Sequence, residues 1–491
     1  MHAVGTKGRE SAPGRISVET DQASRGLLCA VALALVLASY WLLNYSVFPR
    51  FDHLWTGNRE ASAIASGIVL SALAFCSYWR PWLFGSRPVL GATVASAVGG
   101  GILTIIGLAL SNIPAVVVAA TLGTVAVGLA SIVVGLSCLS LDLRAVGLIA
   151  IGAYVGAYAL RALFALLAQT TGVALFFILP LASVLMVARF ARPVLDQSYT
   201  QGSPAELALT SPASFLPFEH RFFLTLLLFR FIYGFTLTFG ELERTPLLTL
   251  GALVPLAAIF LWALVRKGAL SPETLFQLSI LCSVAGFLLI TLGGATTDAA
   301  NLLLTCGTGF FEMFMYYMLI ALSAKNPLAA LPVMAWGSAM ASWGTLLGAN
   351  FGRLANGFAT DPLLASGVIV FVVFFIVAYL TIALDGRPFT ATLQGLAPLP
   401  PQLTVTTEEG ETISLEKRCE ELGRLHELTA REQEVFEYLA RGRNIRFIEE
   451  ELVVSYNTVK THVSHIYAKL GVHSHQELIN LVENADTTDR S

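Results

Sequence analysis

Between residues 27 and 384 the chain is a succession of long apolar runs separated by short polar breaks. In bilayer hydrocarbon a backbone N–H or C=O finds no water, so a spanning segment closes its own hydrogen bonds as a helix of about 20 apolar residues. By that measure the sequence predicts about twelve spans. They fall near 27–47, 61–80, 89–110, 114–138, 145–168 and 171–190, then 221–240, 246–265, 274–293, 299–322, 328–349 and 363–384. The first run is too long for a cleaved signal peptide, and no small-residue cleavage site follows it. Composition agrees, with 55% hydrophobic and 13% charged residues and a mean hydropathy of +0.70, outside the balance of soluble domains. The charge that exists is concentrated in residues 385–491.

Lysine and arginine are biased toward one side of the predicted spans. With the N-terminus in the cytoplasm, only Arg50, Arg59, Arg244 and Arg353 fall in outside connections, and most other loop cations lie inside. This is the positive-inside asymmetry of a multi-pass protein of the cytoplasmic membrane. An even number of spans returns the C-terminus to the cytoplasm. The expected order is a cytoplasmic tail (1–26), a membrane body (27–384) with a central loop (191–220), a linker (385–427), a compact polar domain (428–485) and a short tail (486–491). Within the linker, Ala397-Pro-Leu-Pro-Pro401 reads as stiff and extended. Leu415, Cys419, Leu422 and Leu425 form one apolar stripe, predicting a short helix over 414–425.

The polar domain can be built from local signals. Thr429-Ala-Arg-Glu432 reads as a capping box, Val435, Phe436 and Leu439 as the core face of a first helix, and Gly442 as its end. A second helix is predicted over 445–452, a turn at Val453-Val454, and a third helix over 456–470 opened by Ser455. Val459, Val463, Ile466 and Leu470 recur at three- and four-residue spacing, which leaves the opposite face, with Asn457, Lys460, Thr461 and Ser464, free. Along this helix Lys460 and Lys469 face no acid.

Leu428-Thr-Ala-Arg-Glu-Gln-Glu-Val435, Gly442, Val454-Ser-Tyr-Asn-Thr-Val-Lys-Thr-His-Val463 and Lys469-Leu-Gly-Val472 resemble the LuxR-type helix-turn-helix over its whole length. The resemblance implies a bacterial double-stranded DNA-binding domain whose third helix enters the major groove. It places Lys460, Thr461 and Ser464 at base edges and Asn457, Thr458, His462 and Lys469 near phosphates. It also implies a fourth helix near 475–483 that joins two copies as a homodimer. Two six-helix halves joined by a long inside loop resemble the major facilitator superfamily, whose first, fourth, seventh and tenth helices line a central cavity. The loop Arg80-Pro-Trp-Leu-Phe-Gly-Ser-Arg-Pro88 keeps the glycine and arginine of that family's signature at Gly85 and Arg87 and lacks its acidic residue.

Ionisable residues inside the spans are the candidate ligand contacts, because a charge at the bilayer centre costs about 2.5–3.5 kcal/mol on insertion scales. Arg230 and Glu312 fall near the middle of the seventh and tenth spans, where they can grip a small molecule or pair with each other. Arg161 lies nearer the outer end of the fifth span, where snorkelling is a second reading. No phosphate-cradling loop, metal-ligand spacing or receiver-domain aspartate is present, so neither an enzyme nor a cofactor is expected. The expected class is all-α: a polytopic helical bundle in membrane lipid (about 12 helices, 6+6) followed by a four-helix LuxR-type domain. The expected function is a one-component transcriptional regulator whose bundle senses a small molecule. The alternative is a transporter that also regulates transcription.

Overall fold

The computed structural model describes residues 13–164, 168–201, 221–236, 246–265, 271–292, 297–358 and 418–484. Eleven long helices form the membrane body among these residues, with a short one at Phe48–Phe51. They are α1 (Pro13–Leu42), α2 (Asn58–Trp79), α3 (Ser86–Ala109), α4 (Ile113–Ser137), α5 (Leu143–Phe164), α6 (Gln169–Gln201), α7 (Arg221–Thr236), α8 (Pro246–Val265), α9 (Pro272–Leu292), α10 (Thr297–Lys325) and α11 (Ala330–Phe358). They match the first eleven predicted spans in order, and the twelfth, 363–384, lies outside the described residues. Eight of the described helices are long and apolar enough to cross a membrane, while α7 and α8 contain shorter apolar stretches. Apolar side chains facing away from the bundle, such as Leu185 and Val265 at 78% and 83% exposure, suit hydrocarbon rather than water.

Two helical groups meet along α2 against α11 and α5 against α8, with α10 packed on α4, α5, α7, α8, α9 and α11. α10 is the central post. Its Phe311, Phe314, Tyr317 and Met318 are almost wholly buried, so this aromatic run is core. The closest approach is α7 on α11, and glycine makes it possible. A Cβ at Gly344 would sit 2.3 Å from the Leu227 carbonyl oxygen, and one at Gly348 would sit 2.0 Å from that of Phe231.

Two boundaries differ from the sequence expectation. The N-terminal tail was expected to run to residue 26, yet α1 is already helical from Pro13. Arg25 helps to hold it there, donating to the Ser137 carbonyl at 3.2 and 2.8 Å with its guanidinium 4.5 Å from the Phe190 ring. The central loop was expected to open at 191, but α6 continues through Pro193 to Gln201. Ala191 and Leu195 are buried, which anchors that extension. Asp196, on the same extension, accepts from the Ser86 N–H at 2.9 Å and from its hydroxyl at 3.1 Å. A carboxylate from α6 thus caps α3 beside the α2–α3 loop, which carries none of its own.

The C-terminal module has its own apolar core, centred on Val435, Phe436, Leu439, Ile448, Val463 and Ile466. Burying each such side chain contributes about 1.5–3 kcal/mol before entropy is counted. Its helices are α12 (Ala430–Ala440), α13 (Ile445–Leu452), α14 (Tyr456–Leu470) and α15 (His475–Asn484). Residues 418–425 form a further helical segment, within the predicted one, whose Cys419 and Leu422 join this core.

Candidate ligand cavity and nucleic-acid interface

The module is assembled by local capping. The Thr429 side chain accepts from the Glu432 N–H at 3.3 Å, and Glu432 Oε2 accepts from the Thr429 N–H at 2.8 Å, completing the predicted capping box. Asn444 caps α13 by accepting from the Phe447 N–H at 2.8 Å, and Ser455 caps α14 by accepting from that of Thr458 at 3.3 Å. Gly442 and Gly471, at φ of 72° and 65°, terminate α12 and α14. The turn between α13 and α14 puts Val453 at φ 52°, ψ 48°, a left-handed conformation unusual for a β-branched residue.

With Val459, Val463, Ile466 and Leu470 turned inward, α14 presents Asn457, Thr458, Lys460, Thr461 and Ser464 to solvent on one exposed face. His462 is half-buried, and its Nδ1 is enclosed without a hydrogen-bond partner. Lys469, expected near phosphates, has partners within the module. Its ammonium donates to Glu432 Oε2 at 2.7 Å and to the Glu427 carbonyl at 3.0 Å, while the residue stays exposed at the module's surface. The absence of an acid on α14 itself did not exclude this, because the acid comes from α12. Burial pushes the Glu432 carboxyl up, but the bonds from Lys469 and Thr429 outweigh it and hold the group at about 2. His465 reaches the same carboxylate at 3.7 Å. Its position, one turn before Lys469 on α14, is the only sequence sign of that link.

In the membrane body the structure brings Arg230 and Glu312 together. Arg230 Nη2 lies 2.5 Å from Glu312 Oε1, with 16% and 10% of the two side chains exposed. The Arg230 Nε–H is buried with no acceptor. The pair lies on the wall of a cavity of about 500 Å³, in the range of small-molecule sites. α1, α4, α7 and α10 contribute to the lining as the resemblance implied, joined by α2, α5 and α11. Tyr40, Trp41, Tyr154, Tyr233 and Tyr316 supply aromatic wall. The Tyr316 hydroxyl is tied to Ser131 at 3.1 Å, and the Arg230 guanidinium stands 5.4 Å from the Tyr233 ring centre.

Toward the end of the bundle where α2 begins, Arg353 of α11 meets Glu60 of α2 at 2.6 Å, and Arg59 also lines the cavity. Composition within single spans did not single out these wall residues. Tyrosines inside apolar runs were the available signal, since each buried hydroxyl needs a partner. Arg161 is not brought to the cavity. Its guanidinium lies 5.6, 5.1 and 5.3 Å from the Trp41, Tyr45 and Tyr158 rings and donates to the Tyr45 and Tyr158 hydroxyls.

Comparison with known proteins separates the same two parts. The model of a family described as GerE, bacterial regulatory proteins, luxR family, matches residues 426–482. The chain is 44% identical over 62 residues to the transcriptional activator protein ExaE of Pseudomonas putida, covering 13% of this chain and 29% of that protein. It is 40% identical over 52 residues to the spore germination protein GerE of Bacillus subtilis (strain 168), covering 11% of this chain and 70% of that protein. The chain therefore spans less than a third of ExaE and most of GerE. The membrane body is similar to a bacterial homologue of the iron transporter ferroportin in an outward-facing state, with a TM-score of 0.53 at 12% identity, over 74% of this chain and 99% of that one. It is also similar to the human organic anion transporter MFSD10 (TETRAN), with a TM-score of 0.50 at 14% identity, over 72% of this chain and 99% of that one. At such identities the likeness is one of fold, the two-half helical arrangement of major facilitator proteins. Through its C-terminal helix-turn-helix, the chain belongs to the bacterial regulatory proteins of the luxR family.

Proposed function

We propose that this protein is a one-component transcriptional regulator of the cytoplasmic membrane. A small molecule enters the bundle, and its binding alters how the cytoplasmic module engages double-stranded DNA. The observation that carries this reading is an aromatic-walled cavity with a buried Arg230–Glu312 pair in the same chain as a luxR-family module. A ligand shifts an equilibrium only through unequal affinity for two states, and α2 against α11 and α5 against α8 are the seams along which two states can differ. Both termini face the cytoplasm in this reading, and two modules bind as a homodimer through α15, with half-sites about 34–36 Å apart. Lys460, Thr461 and Ser464 read base edges, and Asn457, Thr458 and His462 approach phosphates.

The test is a reporter under the regulated promoter, with Arg230→Ala and Glu312→Ala introduced singly in membrane-inserted protein. Loss of induction with unchanged DNA binding by the solubilised protein supports the reading. Unchanged induction in both variants sinks it. The likeness to transporters favours a second reading, uptake coupled to regulation. Saturable substrate accumulation in vesicles carrying the purified protein distinguishes that reading from a sensor.

A further inference from the structure

Among the described residues, one corner of Arg230 is paired with a carboxylate. Of the five N–H donors on a guanidinium, the structure engages those of Nη2, with Glu312, and leaves Nε–H enclosed without an acceptor. A buried donor left unpaired costs about 1–3 kcal/mol, a cost removed where an acceptor in the cavity draws the partly exposed guanidinium round to meet it. Among the described residues the charged groups lining the cavity are Arg59, Arg230 and Arg353 with Glu60 and Glu312, and Asp52 stands close to Arg59. Each glutamate already has an arginine, at 2.6 Å for Glu60 and 2.5 Å for Glu312.

From this we infer that the cavity selects a small organic carboxylate on a ring-bearing apolar body, with Arg230 as the residue that grips the carboxylate. The inference rests on the sensor reading and names its ligand class. Cations also bind among tyrosine and tryptophan rings, but one placed here would stand against Arg230 with both carboxylates already taken. A neutral acceptor answers the Arg230 donors with a weaker bond than a carboxylate gives. A carboxylate matches the planar two-donor edge of one arginine. The body of the ligand follows from the walls. Tyr40, Trp41 and Tyr154 come from α1 and α5, and Tyr233 and Tyr316 from α7 and α10, so a ring lies between the two helical groups while its acid end is fixed on α7.

The test uses full-length protein in nanodiscs and matched probes that differ only in the charged end: benzoate, phenylacetate and indole-3-acetate, each against its alcohol and amine. Equilibrium dialysis reads binding, and light scattering on heating reads the stability shift. The expected result is at least a tenfold preference for the carboxylate in one set or more. That preference is lost in Arg230→Gln and in Arg230→Gln with Glu312→Gln, the second variant leaving no stranded charge to unfold the bundle. Equal binding of alcohol and acid, preference for the amine, or no carboxylate preference in any set overturns the inference. So does a preference that survives in the folded double variant. Reporter induction by the alcohols or amines would keep the sensor reading and reject the ligand class. Carboxylate binding with a silent reporter would do the reverse.

Discussion

Lys469 offers a decisive perturbation, because two roles predict opposite results for the same variant. Its ammonium bonds the buried Glu432 carboxylate at 2.7 Å and the Glu427 carbonyl at 3.0 Å, joining the end of α14 to the start of α12. Lys469→Met keeps the aliphatic stem and removes the charge. Glu432 then retains the Thr429 N–H but loses its cation, and hydrogen bonds to charged groups are worth about 1.5–3 kcal/mol. The module should lose about 2 kcal/mol, which for a domain of this size lowers the thermal midpoint by about 10 °C. The assay is thermal unfolding of the isolated C-terminal segment, paired with DNA binding across salt concentrations. A phosphate-contacting lysine contributes about 0.9 to the slope of log affinity against log salt. The structural role predicts a large fall in midpoint and an unchanged slope, measured below the variant's melting range. A midpoint within 2 °C of the parent (roughly 0.5 kcal/mol) together with a slope reduced by about one unit would refute the reasoning.

Three further outcomes follow from the same geometry. Glu432 is held at about 2 against an ordinary value of 4.5, so its contribution to stability is complete above pH 4.5 and is lost as the pH falls toward 2. Burial lowers His475 against the opposing bond to the Leu439 carbonyl, so its contribution is complete above pH 6.5 and declines below it. Midpoints measured from pH 8 to 2.5 should lose the first acid loss in His475→Gln and the second in Glu432→Gln. Val453→Gly should stabilise the module by about 1 kcal/mol, because the left-handed conformation costs about 1–2 kcal/mol for a residue with a Cβ. A lower denaturation midpoint would contradict that. In the bundle, Gly348→Leu should destabilise by more than about 2 kcal/mol, since even a Cβ falls on the Phe231 carbonyl and α7 must move away. An unchanged melting temperature in detergent would show that α7 and α11 are not held this closely.

Much of the architecture was legible because the physics that dictates it is local. A run of apolar residues is a spanning helix wherever its neighbours lie, since hydrocarbon leaves the backbone no other partner. The box at Thr429 and Glu432, the cap at Ser455, the stop at Gly442 and the inward row Val459, Val463, Ile466 and Leu470 each depend on residues within a turn or two. The helix-turn-helix could therefore be built residue by residue, including the exposed face of α14. The helical start of α1 and the extension of α6 were less legible, because Arg25 and Asp196 secure them through partners more than a hundred positions away.

Sequence alone thus determined which segments are helices, which lie in membrane and which face of α14 is free. Only the tertiary structure decided which charges meet. It paired Arg230 with Glu312, joined Arg353 to Glu60 across the two helical groups, bonded Lys469 to Glu432 and gave Arg161 to three aromatic rings instead of the cavity. Hydropathy and capping act over a few residues, whereas an ion pair is set by where packed helices place distant side chains.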